Sequence, residues 1–254
     1  MDISKFTKQF KFMPERILMM GVERESFLED RHRNIVPKSK NLLSLLGDDP
    51  RFGYELSACQ FEDRVGPANL EDLGEELMRN DRDILVATQK LGLYRSHYEV
   101  ASSKMPLDVF SDPTGRYQEI TKNMSEDILL AACRVIGTHV HVGMPDYETA
   151  IRVYNRVIDY TEILCALGDN SKGERLKIYK QMAKDFTPPK YDNWNDFYKK
   201  SIEKGFVSDP RSCWHFIRIS VHGTIEFRMF GTTEDIDRVL TWASVCHGLC
   251  REAI

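Results

Sequence analysis

Apolar and polar positions alternate with period two in three separate stretches, and each puts charged or imidazole side chains on the face its aliphatics leave free. In residues 216–230 two such runs meet at His222-Gly223, a two-residue break that suits a tight hairpin turn. Ile217, Ile219 and Val221 share one face of the first run, with Arg218 and Ser220 on the other. In the second run Ile225, Phe227 and Met229 alternate with Thr224, Glu226 and Arg228. Pairing the runs gathers Arg218, Glu226 and Arg228 on one side. A plain hairpin with a solvated outer face has the same pattern.

The second stretch, Ile17 to Leu28, reads as a strand in which Glu23 and Glu25, two apart, share a face and can reach one cation. An exposed edge strand with paired acids is the alternative. The third is Thr138-His139-Val140-His141-Val142-Gly143, with both valines on one face and both histidines on the other. Between them, Tyr54 to Pro67 carries Glu55 and Glu62 at opposite strand parity. Either a loop or bulge near Ser57 to Cys59 brings both to one site, or only one serves.

Helical spacing fills much of the remainder. Asn69 is expected to cap a helix running to about Leu91, with Leu70, Leu73, Leu77, Ile84 and Leu91 as its stripe. Ser125 caps a shorter one through Val135, and Asp146 opens one ending at Gly168. A polar turn at 169–175 leads to a helical stretch near Lys177 to Ala183, and Thr232 or Thr233 caps a last helix. Residues 29–53 read as loops with a helical piece at Asn41 to Leu46. The aromatics Tyr191, Trp194, Phe197 and Tyr198, after Pro188-Pro189, read as a packed excursion or as a lid. Residues 1–16 and 92–124 suggest no role.

Composition narrows the class. A net charge of −4 without a basic block argues against nucleic acid, and no run of ~18 apolar residues exists to cross a membrane. Six cysteines without CxxC spacing, and no secretory leader pattern, point to reduced thiols, a cytoplasmic protein and no structural zinc. The length suits one large domain or two small ones.

Taken in order, the motifs resemble the carboxylate–amine ligases of the glutamine synthetase superfamily, and glutamate–cysteine ligase-like proteins and amidoligases in particular. Gly21-Val22-Glu23-Arg24-Glu25 looks like the opening acidic strand, and Glu55 through Glu62 like the next acidic block. Gly137 to Gly143 is similar to the family's His-x-His strand, Trp194 to Arg218 to its aromatic stretch, and Thr224-Ile225-Glu226-Phe227-Arg228 to its closing Glu-x-Arg strand. The resemblance runs from about residue 18 to 250 and implies an α+β fold in one catalytic domain, residues 1–254. Its expected core is a curved antiparallel sheet lining the active site, with helices outside. It makes Glu23, Glu25, Glu62, His139 and Glu226 candidate ligands of Mg²⁺ or Mn²⁺. His139 and His141 would lie beside ATP, Arg218 and Arg228 would hold the transferring phosphoryl group, and Arg175 would touch phosphate or a substrate carboxylate. Ser220 departs from the proline of glutamine synthetases.

Such parts suit activation of a poor acylating agent. Phosphorylating a carboxylate gives an acyl phosphate that an amine can attack, and hard cations with planar arginine forks neutralise the phosphoryl oxygens. The expected partners are small molecules, glutamate and an amine, with a homo-oligomer allowed. Phosphotransfer of the guanidino-kinase kind, or a degenerate member that only binds nucleotide or amino acid, are the alternatives.

Overall fold

In the computed structural model, residues 1–47, 49–183 and 185–254 are described; Asp48, inside the stretch read as loop, lies outside them. The chain runs α1 (Ile3–Thr7), β1 (Met20–Glu29), α2 (Ser39–Leu46), β2 (Phe52–Tyr54), β3 (Gln60–Ala68), α3 (Leu73–Leu91), β4 (Tyr94–Ser96), α4 (Arg116–Thr121) and α5 (Glu126–Cys133). It continues through β5 (Thr138–Gly143), α6 (Tyr147–Val157), α7 (Thr161–Gly168), α8 (Glu174–Met182), α9 (Trp194–Glu203), β6 (Ile217–Ile219), β7 (Thr224–Phe230) and α10 (Ile236–Ala253).

The alternating stretches form one antiparallel sheet in the order β2-β3-β1-β5-β7-β6, with β4 beside the far end of β1. β1 pairs with both β3 and β5, and β7 with both β5 and β6, so the glutamate and histidine strands are central. Alternation decides what each face meets. Val22, Val65, Val140, Val142, Ile225 and Phe227 are buried with Leu73 and Leu77 of α3, Val153 of α6, and Val239 and Trp242 of α10. Trp242 is fully buried and stacks on Phe230, so truncating it to alanine would cost about 3–5 kcal/mol. The opposite face carries the glutamates and histidines and lines a cavity.

The hairpin is tighter than the pattern suggests. Its first strand stops at Ile219, and Val221 lies half-buried in the turn instead of on the aliphatic face. Gly223 has φ +72°, and a Cβ there would sit 2.4 Å from the Lys11 carbonyl oxygen, so glycine is required twice over.

Ser125 caps α5 as expected, its hydroxyl accepting from Ile128 N–H. Other helix ends differ. Asn69 precedes a 3₁₀ turn, Leu70–Asp72, and its amide donates to the Asp72 carboxylate instead of capping the backbone. The single helix expected over 146–168 is broken by a 3₁₀ turn at Ile158–Tyr160, where the Thr161 hydroxyl donates to the Ile158 carbonyl. The last helix is capped by Asp235, which accepts from Asp237 and Arg238 N–H, while Thr232 is buried near the Glu25 carbonyl. Tyr191, Trp194 and Phe197 are core, not lid. They pack with Phe6 and Phe10, which gives the N-terminal segment its role.

Candidate active site

The main cavity, about 1170 Å³, is lined by Glu23, Glu25, Glu55, Glu62, His139, His141, Arg218, Glu226 and Arg228 among others. Residues about two hundred positions apart meet there because their strands are neighbours. Register sets Glu23 opposite His139, His141 opposite Glu226, and Glu226 opposite Arg218. It also sets Glu25 directly opposite Glu62, a like-charged pair that needs a counter-charge.

His139 sits among three carboxylates. Its Nδ1 is 3.4 Å from Glu23 Oε2 and 4.0 Å from Glu226 Oε1, and its Nε2 is 3.7 Å from Glu25 Oε1. His141 Nδ1 meets the Thr224 hydroxyl at 2.8 Å, while its buried Nε2 has no hydrogen-bond partner. Two sets of donor atoms each lie within 4.8 Å of one another: Glu23, His139 and Glu226, and Glu25, Glu62 and His139.

Glu226 is gripped by both arginines. Arg218 donates through Nε (2.7 Å) and Nη2 (2.9 Å), and Arg228 donates through Nη1. Arg218 Nη1 also donates to the carbonyls of Arg211 and Cys213. Arg228 Nε is buried without a partner, and the guanidinium lies over the Trp214 ring.

The carboxylates do not behave alike. Burial favours the neutral form of Glu226, but Arg218 and Arg228 outweigh it and hold the acid well below the usual carboxylate range. Glu23 is likewise held down, burial being overcome by His141 and His139. Across the cleft, burial and then the Glu25 charge push Glu55 up to about 7. Burial, Glu23 and Glu55 raise Glu62 well above its ordinary value. Glu55 and Glu62 are thus the carboxylates of the site whose charge the protein compensates least. Clustered carboxylate oxygens with one imidazole form a hard donor set that fits Mg²⁺ or Mn²⁺.

Glu55 and Glu62 both reach the cavity because β2 ends at Tyr54 and a turn intervenes before Gln60, so the loop alternative holds. Arg175 does not reach it. That side chain is 3 % exposed and donates from Nε, Nη1 and Nη2 to the carbonyls of Ile136, Met229 and Arg228. The assignment of Arg175 to phosphate or substrate is thereby corrected: it ties the entry of β5 to the exit of β7.

Other lining residues carried little sequence signal. Tyr54 stacks on Phe110 with centroids 4.8 Å apart, and Tyr117 meets Tyr54 edge-on. The Arg116–Asp209 ion pair (3.5 Å) joins the start of α4 to the 3₁₀ turn Pro210–Ser212, and Arg116, Pro210 and Arg211 line the cavity. Arg64, two residues beyond Glu62, was detectable by parity because both must share a face of β3. None of the six cysteines lines the cavity, and burial pushes Cys59 up to about 11 and Cys133 to about 12.

Together the sheet, the helices behind it and the acidic cavity define an α+β protein with its candidate site on the open face of a curved antiparallel sheet. A solved bifunctional glutathione synthetase from Pasteurella multocida shares the fold, with a TM-score of 0.59 at 14 % identity, over 90 % of this chain and 38 % of that one. Residues 19–254 match the model of glutamate–cysteine ligase family 2, and the chain belongs to that family. A Gloeobacter violaceus protein provisionally named glutamate–cysteine ligase 2 is 27 % identical over 249 residues, 87 % of this chain and 64 % of its own length. The glutamate–cysteine ligase of Natronomonas pharaonis is 23 % identical over 94 % of this chain and 70 % of its own. The chain thus spans about two thirds of the length of these two relatives. Among the described residues no helix is long and apolar enough to cross a membrane.

Proposed function

We propose that residues 1–254 form the catalytic domain of an ATP-dependent carboxylate–amine ligase that phosphorylates the γ-carboxylate of glutamate and passes the acyl group to an amine, cysteine being the expected one. The observation that carries this reading is the convergence of Glu23, Glu25, Glu62, His139 and Glu226 with Arg218 and Arg228 in one cavity. Family membership supports the ligase class, and the relatives' names supply glutamate and cysteine.

Glu23, His139 and Glu226, and Glu25, Glu62 and His139, are the residues that would hold Mg²⁺ or Mn²⁺. Such a cation supplies neutralisation of charge on the phosphoryl oxygens. Arg228 keeps a buried donor free of protein partners, suited to a phosphoryl oxygen, while Glu226 fixes the orientation of both guanidinium forks. Glu55 can hold a proton near neutral pH, as accepting one from an ammonium nucleophile requires. With every cysteine outside the cavity, a thioester route lacks its nucleophile, which favours the acyl phosphate.

The test is phosphate release from ATP with glutamate, amine, both or neither, plus trapping with hydroxylamine. Release that needs the acid, with a γ-glutamyl hydroxamate formed, is the expected result. A phosphorylated product without amide formation would replace ligase by phosphotransferase. Tight ATP binding without turnover would indicate a binding protein.

A further inference from the structure

One cation is already built into the acidic cleft. Arg64 lies on β3 opposite Glu23 of β1, and its Nε is ion-paired with Glu62 Oε1. The fold makes a niche for it. A Cβ on Gly53, the register partner of Glu62 on β2, would stand 2.5 Å from Arg64 Nη2, so the bare glycine gives the guanidinium its room in this position. Glu62 is almost completely enclosed (side chain 5 % exposed), whereas the Arg64 side chain remains 44 % exposed. Arg64 also stands where two cavities meet. It lines the main cavity and a smaller one of about 200 Å³ walled by Gly21, Gly66, Met20 and Val65.

The ion pair has a consequence for the second donor cluster. Glu25, Glu62 and His139 offer ligand atoms within 4.8 Å of one another, but Glu62 is engaged by a positive charge. A guanidinium and a divalent cation repel each other, and the repulsion is largest where water is excluded. The same guanidinium offsets the Glu25–Glu62 like-charge pair. Glu226 of the Glu23–His139–Glu226 cluster is engaged too, by Arg218 and Arg228, but those guanidinium groups are nearly enclosed (13 % and 11 % exposed) and stay fixed beside it.

We propose that Arg64 is an intrinsic counter-ion of the Glu25–Glu62–His139 cluster, and that a divalent cation gains Glu62 as a ligand only when the guanidinium leaves it. This rests on the reading of the cavity as a Mg²⁺ or Mn²⁺ site. The two clusters then differ in kind. The arginines of one stay with their glutamate, and the arginine of the other gives way to the cation. The mobile half of the exchange is Arg64, because its side chain has open space beside it and Glu62 does not.

Mn²⁺ binding to the whole chain, followed by loss of the free-ion paramagnetic resonance signal, tests this without any need for turnover. Arg64→Met should tighten the weaker class of Mn²⁺ sites by about ten-fold or more, the scale set by removing one positive charge at contact distance. Equal or weaker affinity in that variant overturns the proposal alone. Absence of Mn²⁺ binding in both proteins overturns it together with the metal part of the function. A second measurement uses the unmodified protein, so it does not depend on the variant's folding. The Nε–H resonance of Arg64 should be protected from solvent exchange without metal and lose that protection at saturating Mg²⁺. A resonance unchanged by Mg²⁺ overturns the proposal.

Discussion

The two faces of the β1–β3 strand pair carry charge in opposite ways. On the helix-covered face, Arg24 bridges Asp63 (2.7 Å) and Asp81 (2.6 Å), and Arg95 joins Asp63, Asp81 (2.7 Å) and Ser26 (2.8 Å). Two arginines there meet two aspartates, and the charges balance. Among the strand residues of the cavity face, Glu23, Glu25, Glu62 and Glu226 stand against Arg64, Arg218 and Arg228, and they do not. Asp63 is fully buried, yet Arg95 and Arg24 overcome burial and hold it below the ordinary carboxylate value. Glu55 and Glu62, also enclosed, are raised. Burial alone does not separate structure from function here. Whether the fold supplies the counter-charge does.

The sharpest way to break the contrast is to remove one carboxylate from each face. Glu23→Gln should lower ATP-dependent phosphate release by about 10²–10³-fold or more, the scale seen when one charge-stabilising group leaves a closed site. Unchanged release would remove Glu23 from the site. Asp63→Asn leaves buried arginines short of a partner and should destabilise the fold by about 3–5 kcal/mol in urea unfolding. A loss under about 1 kcal/mol would show that the network is not balanced as described.

Cation binding should stabilise only the cavity face. Mg²⁺ at one hundred times its dissociation constant should add about 2.7 kcal/mol, and Glu23→Gln should cut that gain while a conservative change at Asp81 should not. A smaller effect tests the counter-ion on that face. Glu25→Gln, assayed without metal, should not stabilise the fold, because Arg64 already offsets the like-charged pair with Glu62 and the Gly137 N–H loses its carboxylate acceptor. Stabilisation by about 1 kcal/mol or more would mean that Arg64 leaves the pair unneutralised.

Stability against pH sharpens the comparison further, in metal-free protein. Asp63 is more acidic folded than unfolded, so its contribution is present above the unfolded value of about 3.9 and is lost as pH falls through the folded value. Glu55 is raised to about 7, so stability should fall as pH rises from about 4.3 to 7. Glu55→Gln should make that limb shallower, Glu62 supplying the rest of it, and leave the acid limb in place.

Much of the cavity face was legible because period two fixes it. Glu23 with Glu25, His139 with His141, and Arg218, Glu226 and Arg228 each needed only strand parity and an aliphatic opposite face. Glu55 and Glu62 were legible as alternatives, since parity alone cannot see the turn after Tyr54. The balanced network was not legible. Arg24 and Asp63 meet only through register, and Asp81 and Arg95 arrive from α3 and β4. The Tyr54–Phe110–Tyr117 corner depends on loop paths that leave no periodic trace.

Arg175 shows what selection can disguise. Its guanidinium spans the carbonyls of Ile136, Arg228 and Met229, and a Cβ on Gly137 would lie 2.1 Å from its Nη2. Gly137 N–H in turn donates to the Glu25 carboxylate at 2.7 Å. A change at either position would misplace Glu25, His139 and Arg228 together, so both should prove as intolerant of substitution as the residues of the cavity itself. A survey of invariant positions across descendants of this chain would therefore count Arg175 as catalytic. It would be recording the inheritance of a joint in the scaffold.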